Sequence, residues 1–344
     1  MDLANRWAQL KSEQPRLRAL DAAKALGVSE GELIASRVGA GATRLRPDWK
    51  ALLAALPKLG RVMALTRNEQ IVHERKGTYS LGSVHHGKVG LVVGADIDLR
   101  LFLDHWHHAF AMPVDNPRGT LRSLQVYDAD GSAVHKIYST GEADDAAWDA
   151  LIAELASDDQ SPGIATQALK APPTDPADDT VDVTAFREAW AALTDTHDFF
   201  PLLRRFKLGR QQALRLGGEA FARPVELDSF ARVLRLASDR EVPIMVFVGN
   251  PGCIQIHTGP VKQIVPMRGW LNVLDPDFNL HVKEDGLATA WWVRKPTDDG
   301  DVHSLEVFDG EGTLLVQLFG KRKPGIPEDP AWRELLSDAA LPNG

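Results

Sequence analysis

The chain contains itself twice, and that limits what it can fold into more than any other feature. Ser123 to Tyr138 (SLQVYDADGSAVHKIY) matches Ser304 to Phe319 (SLEVFDGEGTLLVQLF) without a gap, at an offset of 304 − 123 = 181 residues. Trp148 falls against Trp332, Trp7 against Trp190, and Arg67-Asn68 with His73 against Gly249-Asn250 with His257. A repeat of this extent is a duplicated domain. Residues present in only one copy are the first place to look for a site, because one copy can keep the scaffold while the other changes chemistry.

The 344 residues, 44% of them apolar, supply two ordinary cores rather than one oversized one. Leu3, Trp7 and Leu10, then Leu17, Leu20, Ala23 and Leu26, recur at helical spacing, broken by Gly27 and Pro47; the second copy behaves alike from Phe186 to Leu236. The period then falls to two in a run of short segments ending in Gly, Asn or Asp, which predicts antiparallel strands. Asp128-Ala129-Asp130-Gly131 and Asp309-Gly310-Glu311-Gly312 are the hairpin turns. Helices followed by strands is an α+β pattern, here as a tandem duplication. Residues 1–156 form the first repeat and residues 184–344 the second. Between them, 157–183 is a Pro- and Asp-rich linker without periodicity.

Charge narrows the functional classes. With 39 basic against 47 acidic side chains, net −8, the chain lacks the balance of a broad phosphate-binding face, so nucleic acid is not an expected partner. Arg18 to Gly39 looks like a helix-turn-helix, but Glu30 and Glu32 lead the second helix where a DNA-reading helix carries cations or amides. The start is polar, no stretch reaches the length of a membrane span, and a cytoplasmic protein without membrane insertion is expected. Cys253 is the single cysteine, so a metal centre would use His, carboxylate or a cofactor.

Two constellations are not duplicated. Thr194-Asp195-Thr196-His197-Asp198-Phe199-Phe200 places His197 against Gln14 of the first copy. It reads either as a surface or capping histidine or as an imidazole offered to a metal or haem iron, beside an apolar Phe pair. Arg100, in Asp98-Leu99-Arg100-Leu101-Phe102, faces Asn279 of the second copy. It reads as a structural ion pair with Asp96 or Asp98, or as a guanidinium donor to an anionic or iron-bound ligand. The group His105-Trp106-His107-His108 cannot easily converge on one ion, because adjacent side chains diverge, and His85-His86 reads as a solvated turn.

Across nearly its whole length the chain resembles the cytoplasmic haem-utilisation proteins of Gram-negative bacteria, the HemS, ChuS and PhuS type. The resemblance rests on Thr66-Arg67-Asn68-Glu69, Val72-His73-Glu74, Ile97 to Phe102, Thr194 to Phe200, Gly249 to Gly259 and Gly320-Lys321-Arg322. It implies two tandem repeats, each a large antiparallel sheet flanked by helices, and one haem b (iron protoporphyrin IX) bound in the second. It makes His197 the axial iron ligand and Arg100 the distal residue, catalytic if the protein is an enzyme. It makes Lys295, Gln317 and Arg322 the propionate and pocket contacts. Phe319 departs from the family pattern, which has Tyr there. The implied function is haem delivery in iron acquisition, with a haem uptake transporter and a downstream haem oxygenase or reductase as partners. The alternative is oxygenase-type haem degradation with an external electron donor, and a haem-sensing regulator is disfavoured by the acidic balance.

Overall fold

A computed structural model describes residues 2–116, 119–171, 173–323 and 325–340. In the first half, helices α1 (Leu3–Glu13), α2 (Ala19–Leu26), α3 (Glu30–Ala35) and α4 (Trp49–Ala55) precede most of the strands, and α5 (Asp145–Leu155) follows them. The strands are β1 (Thr43–Leu45), β2 (Gly60–Arg67), β3 (Ile71–Gly77), β4 (Ser83–His85), β5 (Val89–Val93), β6 (Asp98–Phe102), β7 (His108–Asn116), β8 (Gly119–Tyr127) and β9 (Ala133–Ala143). The second half repeats the order. Its helices are α6 (Val183–Ala191), α7 (Phe199–Phe206), α8 (Arg210–Gly217), α9 (Ser229–Asp239) and α10 (Pro330–Ala340). Its strands are β10 (Ala222–Val225), β11 (Ile244–Asn250), β12 (Cys253–Gly259), β13 (Ile264–Met267), β14 (Trp270–Leu274), β15 (Phe278–Lys283), β16 (Thr289–Lys295), β17 (Val302–Phe308) and β18 (Leu314–Gly320).

The duplication is visible down to single irregularities. A register shift interrupts the β8/β9 pairing between Val126 and Tyr127, and another interrupts β17/β18 between Val307 and Phe308, 181 residues on. The turns beside them carry Gly131 and Gly312 at φ of 80° and 83°, a region that L side chains avoid. Trp148 and Trp332 are both fully buried on the closing helices α5 and α10. Helix starts follow local chemistry: Asp144 caps α5 through Ala147 N, and Asp182 caps α6 through Ala185 N.

The strands form two nine-stranded antiparallel sheets, in the orders β1-β7-β8-β9-β2-β3-β15-β14-β13 and β10-β16-β17-β18-β11-β12-β6-β5-β4. Each sheet thus takes three strands from the other half of the chain. Compact unit 1 comprises residues up to Arg67, Glu74–Lys170 and Gly249–Gln255; unit 2 comprises Asn68–His73, Ala171–Val248 and the chain from Ile256. Two asparagines build the exchanged segments. In unit 2, Asn68 Oδ1 accepts from Gln70 N and Ile71 N, and its Nδ2 donates to Leu315 O. In unit 1, Asn250 Oδ1 accepts from Gly252 N and Cys253 N, and its Nδ2 donates to Val134 O and Arg67 O. These matched turns set the local offset at 250 − 68 = 182, which puts His73 opposite Gln255 rather than His257 and corrects the pairing read from the sequence.

The same register exposes an asymmetry inside the cores. In unit 1, His135 is wholly buried, with Nε2 2.6 Å from the Tyr79 hydroxyl and Nδ1 2.9 Å from Thr66 Oγ1, which lies 3.3 Å from Cys253 Sγ. Their counterparts in unit 2 are Val316, Val261, Val248 and Ile71, all in its apolar core. Burial holds the His135 pKa down at about 3 and pushes the Cys253 thiol up to about 12, so both are neutral near pH 7. The helix-turn-helix look-alike is also explained. Ser29 and Glu32 form a capping box at α3, while Glu30 is buried against Lys136. Both glutamates are thus engaged within unit 1, Glu32 at the helix cap and Glu30 in the ion pair.

Candidate functional site

In unit 2 the segment from Thr194 to Phe199 leaves α6, makes one 3-10 turn (Thr196–Asp198) and enters α7. Asp195 caps that turn by accepting from His197 N at 2.8 Å, and the same oxygen takes His197 Nδ1 at 2.6 Å. These contacts, the backbone one first, hold the Asp195 carboxyl below its ordinary pKa. An ionised carboxylate only accepts, so Nδ1 is the donor and Nε2 is the ring nitrogen left for another partner. The imidazole is 83% exposed. Phe199 turns the other way, into the core, while Phe200, Arg204 and Lys207 stay on the solvent side of α7.

Phe199 connects this histidine to a charged node on the sheet. Its ring lies under two cations, Lys295 Nζ at 4.8 Å and the Arg210 guanidinium at 5.2 Å. Both converge on Glu306, whose side chain is completely buried in the middle of β17. Arg210 Nε and Nη2 donate to the two carboxylate oxygens at 2.6 and 2.8 Å, a bidentate fork. Lys295 Nζ and Gln317 Nε2 donate to Oε1 at 2.8 and 2.9 Å. Burial pushes the Glu306 carboxyl up, but Arg210 and Lys295 outweigh it, and its pKa ends well below the ordinary carboxylate value. Burial likewise lowers the Lys295 pKa, against the pull of Glu306. The Phe319 ring packs over Lys295 at 5.9 Å and against Phe247.

Arg322 completes the cluster. Its Nη2 is 3.3 Å from Asp299 Oδ2, and its charge helps to lower the Asp195 pKa. Its Nε is buried with no hydrogen-bond acceptor among the described residues. The loop carrying Asp299 is tied to the histidine segment by Asp298 N donating to Thr194 O at 2.9 Å. Unit 2 therefore gathers His197, Lys295, Gln317, Phe319 and Arg322. Sequence reading missed Glu306 and Arg210; the signal was available, since neither position keeps its residue type in the first copy. Arg100 belongs to unit 1, on β6, where its Nη1 is engaged by Asp98 and Leu99 O. Burial raises the Asp98 pKa, opposed by that guanidinium.

The remaining histidines divide differently. His105 and His107 direct Nδ1 to the two oxygens of buried Asp128, at 2.7 and 3.1 Å. No group of three or more His, Cys, Asp or Glu side chains among the described residues is arranged to hold a metal ion. No helix among them is long and apolar enough to cross a membrane.

The domain family described as haemin-degrading HemS.ChuX matches this chain twice, over residues 27–155 and 207–339. The chain belongs to that family. The hemin transport protein HmuS of Yersinia pestis is 41% identical over 336 residues, 97% of this chain and 96% of the relative. Among solved structures, the heme-binding protein PhuS of Pseudomonas aeruginosa in its holo form is 52% identical, with 97% of each chain covered and a TM-score of 0.95. The Escherichia coli heme oxygenase ChuS is 38% identical with a TM-score of 0.89, covering 99% of this chain and all of that one. The position of Phe319 is held in the first copy by Tyr138, at the matching place on β9.

Proposed function

We propose that this chain binds one haem, as haem b, in unit 2 and delivers it to downstream acceptors within the cytoplasm as part of iron acquisition. The observation that carries the reading is His197: an exposed imidazole whose Nδ1 is fixed by Asp195, so that Nε2 is the ligating atom. Porphyrin would itself supply four nitrogens to the iron, so one protein imidazole would suffice where, among the described residues, no group of three His, Cys, Asp or Glu is arranged to hold a metal ion. Lys295, Gln317 and Arg322 supply the cationic and donor side for carboxylates, and the unmet Nε of Arg322 is a donor in want of such an acceptor. A single protein bond to iron from the exposed His197 turn would suit a cargo that must leave again. The relatives named as hemin transport and heme-binding proteins support this reading. A haem uptake transporter as donor and a haem oxygenase or reductase as acceptor complete the proposed route.

The likeness to the ChuS heme oxygenase supports a second reading, in which a bound haem would be cleaved by oxygen with electrons supplied by a partner. In that reading Arg100 would be the hydrogen-bond donor toward the bound ligand.

Haemin titration followed at the Soret band tests the first reading. We expect a break at one equivalent in the wild type, and for His197→Ala weakened binding with an altered Soret and visible spectrum. An unchanged spectrum in His197→Ala overturns the assignment of the ligand, and a break at two equivalents of matching affinity overturns the single site.

A further inference from the structure

The two copies part company after their last strand. Between the aligned strands the offset is 304 − 123 = 181, but between the tryptophans of the closing helices it is 332 − 148 = 184, so unit 2 carries three extra residues here. In unit 1, β9 runs on to Ala143, which still pairs with Gly60 of β2. In unit 2, β18 stops at Gly320, and the chain leaves the sheet as a loop that carries Arg322. Asp299 holds that loop: its Oδ2 accepts from Gly325 N at 2.8 Å and from Arg322 Nη2 at 3.3 Å.

Asp299 is itself fixed. It lies in a turn closed by Thr297 N donating to Gly300 O at 3.1 Å and Gly300 N to Thr297 O at 3.0 Å, and its own N donates to Thr297 Oγ1 at 3.2 Å. Its grip on Arg322 is looser. The carboxylate is 30% exposed and the guanidinium 17%, so the ion pair is partly solvated and weak enough to exchange. A guanidinium receives a carboxylate best at two points along one edge. On the edge of Arg322 formed by Nε and Nη2, Asp299 takes Nη2, while Nε is buried with no acceptor among the described residues. A carboxylate of the chain thus covers half of the edge, and the other half is unmet.

We propose that Asp299 is an internal stand-in for the carboxylate of the ligand: it holds Arg322 Nη2 until a propionate of haem takes that edge, and reclaims it when the ligand leaves. This rests on the haem reading above, in which Arg322 is a carboxylate contact. Gly325 N stays on Asp299 throughout, so the loop keeps its tether while the guanidinium changes partner. Such a contact lowers affinity and favours release, which suits delivery to an acceptor.

The test is an equilibrium titration of the full chain with haemin and with its dimethyl ester, which keeps the iron and ring but not the propionate charges. Asp299→Asn retains an acceptor for Gly325 N but loses the charge that competes for Arg322. It should bind haemin about 2- to 5-fold more tightly, the range of a partly solvated ion pair, with the ester's affinity unchanged. Transfer of haem from this variant to apomyoglobin should slow by a similar factor. Asp298→Asn removes the same charge one residue away, from an exposed side chain, and should change neither affinity. In an Arg322→Gln background, Asp299→Asn should have no effect. Weaker or unchanged haemin binding in Asp299→Asn overturns the proposal, as does an equal gain in Asp298→Asn or a gain that survives Arg322→Gln, and each of these leaves the haem reading intact. Wild type that takes up neither porphyrin overturns the haem reading itself.

Discussion

His135 should make unit 1 lose stability in acid along a calculable slope. Its imidazole is neutral in the folded protein because burial depresses its pKa from 6.5 to about 3. The unfolded chain binds a proton once the pH falls below 6.5, but the folded chain does not until near pH 3. The contribution is therefore fully present above about pH 6.5 and declines by about 1.4 kcal/mol per pH unit between the two values. Between pH 7 and about pH 4.5 one such group removes about 2.7 kcal/mol, a large part of a typical domain's stability. His135→Val reproduces the unit 2 counterpart Val316 and abolishes the titration, while leaving the Tyr79 and Thr66 hydroxyls short of a partner at a cost of about 1–3 kcal/mol. Urea unfolding by tryptophan fluorescence should find the variant less stable near pH 7 and the gap closing or reversing near pH 4.5. Carboxylates titrate in both proteins and cancel in the difference. A wild-type-to-variant difference that stays constant across this range would show that the folded protein protonates His135 normally, and would refute the reasoning.

Asn250→Ala deletes four hydrogen bonds at an exchanged hairpin and strands the carbonyls of Arg67 and Val134; we expect a loss of about 2–4 kcal/mol, read as a lowered urea midpoint with haem-free protein. Asn68→Ala should act in the same direction through Leu315. Arg100→Ala should keep near-stoichiometric haem, cost about 1 kcal/mol or less in stability because its pair with Asp98 is partly solvated, and change the spectrum of the ferric complex or its rate of ring cleavage or transfer. Loss of haem with the fold intact would make Arg100 an anchor for the propionates instead.

Much of this molecule is legible in one dimension. The gapless match of Ser123 to Tyr138 with Ser304 to Phe319 implies equal strands, turns and bulges, because side-chain alternation and glycine placement act locally. His197 stands out for a similar reason: its carboxylate partner is two residues away, and a contact that short survives in the sequence. Partners distant in sequence did not show. Sequence order cannot say that β4, β5 and β6 join the second sheet or β13, β14 and β15 the first, since strand pairing is a choice among edges that only tertiary packing decides. Nor could it show that Glu30 is a buried ion-pair member rather than a surface charge. The Glu306 node joins residues from α8, β16, β17 and β18, up to 107 positions apart between Arg210 and Gln317. A glutamate in an alternating strand reads as solvent-facing until the opposing cations that outweigh its burial are in place, and those arrive only when the helix packs on the sheet.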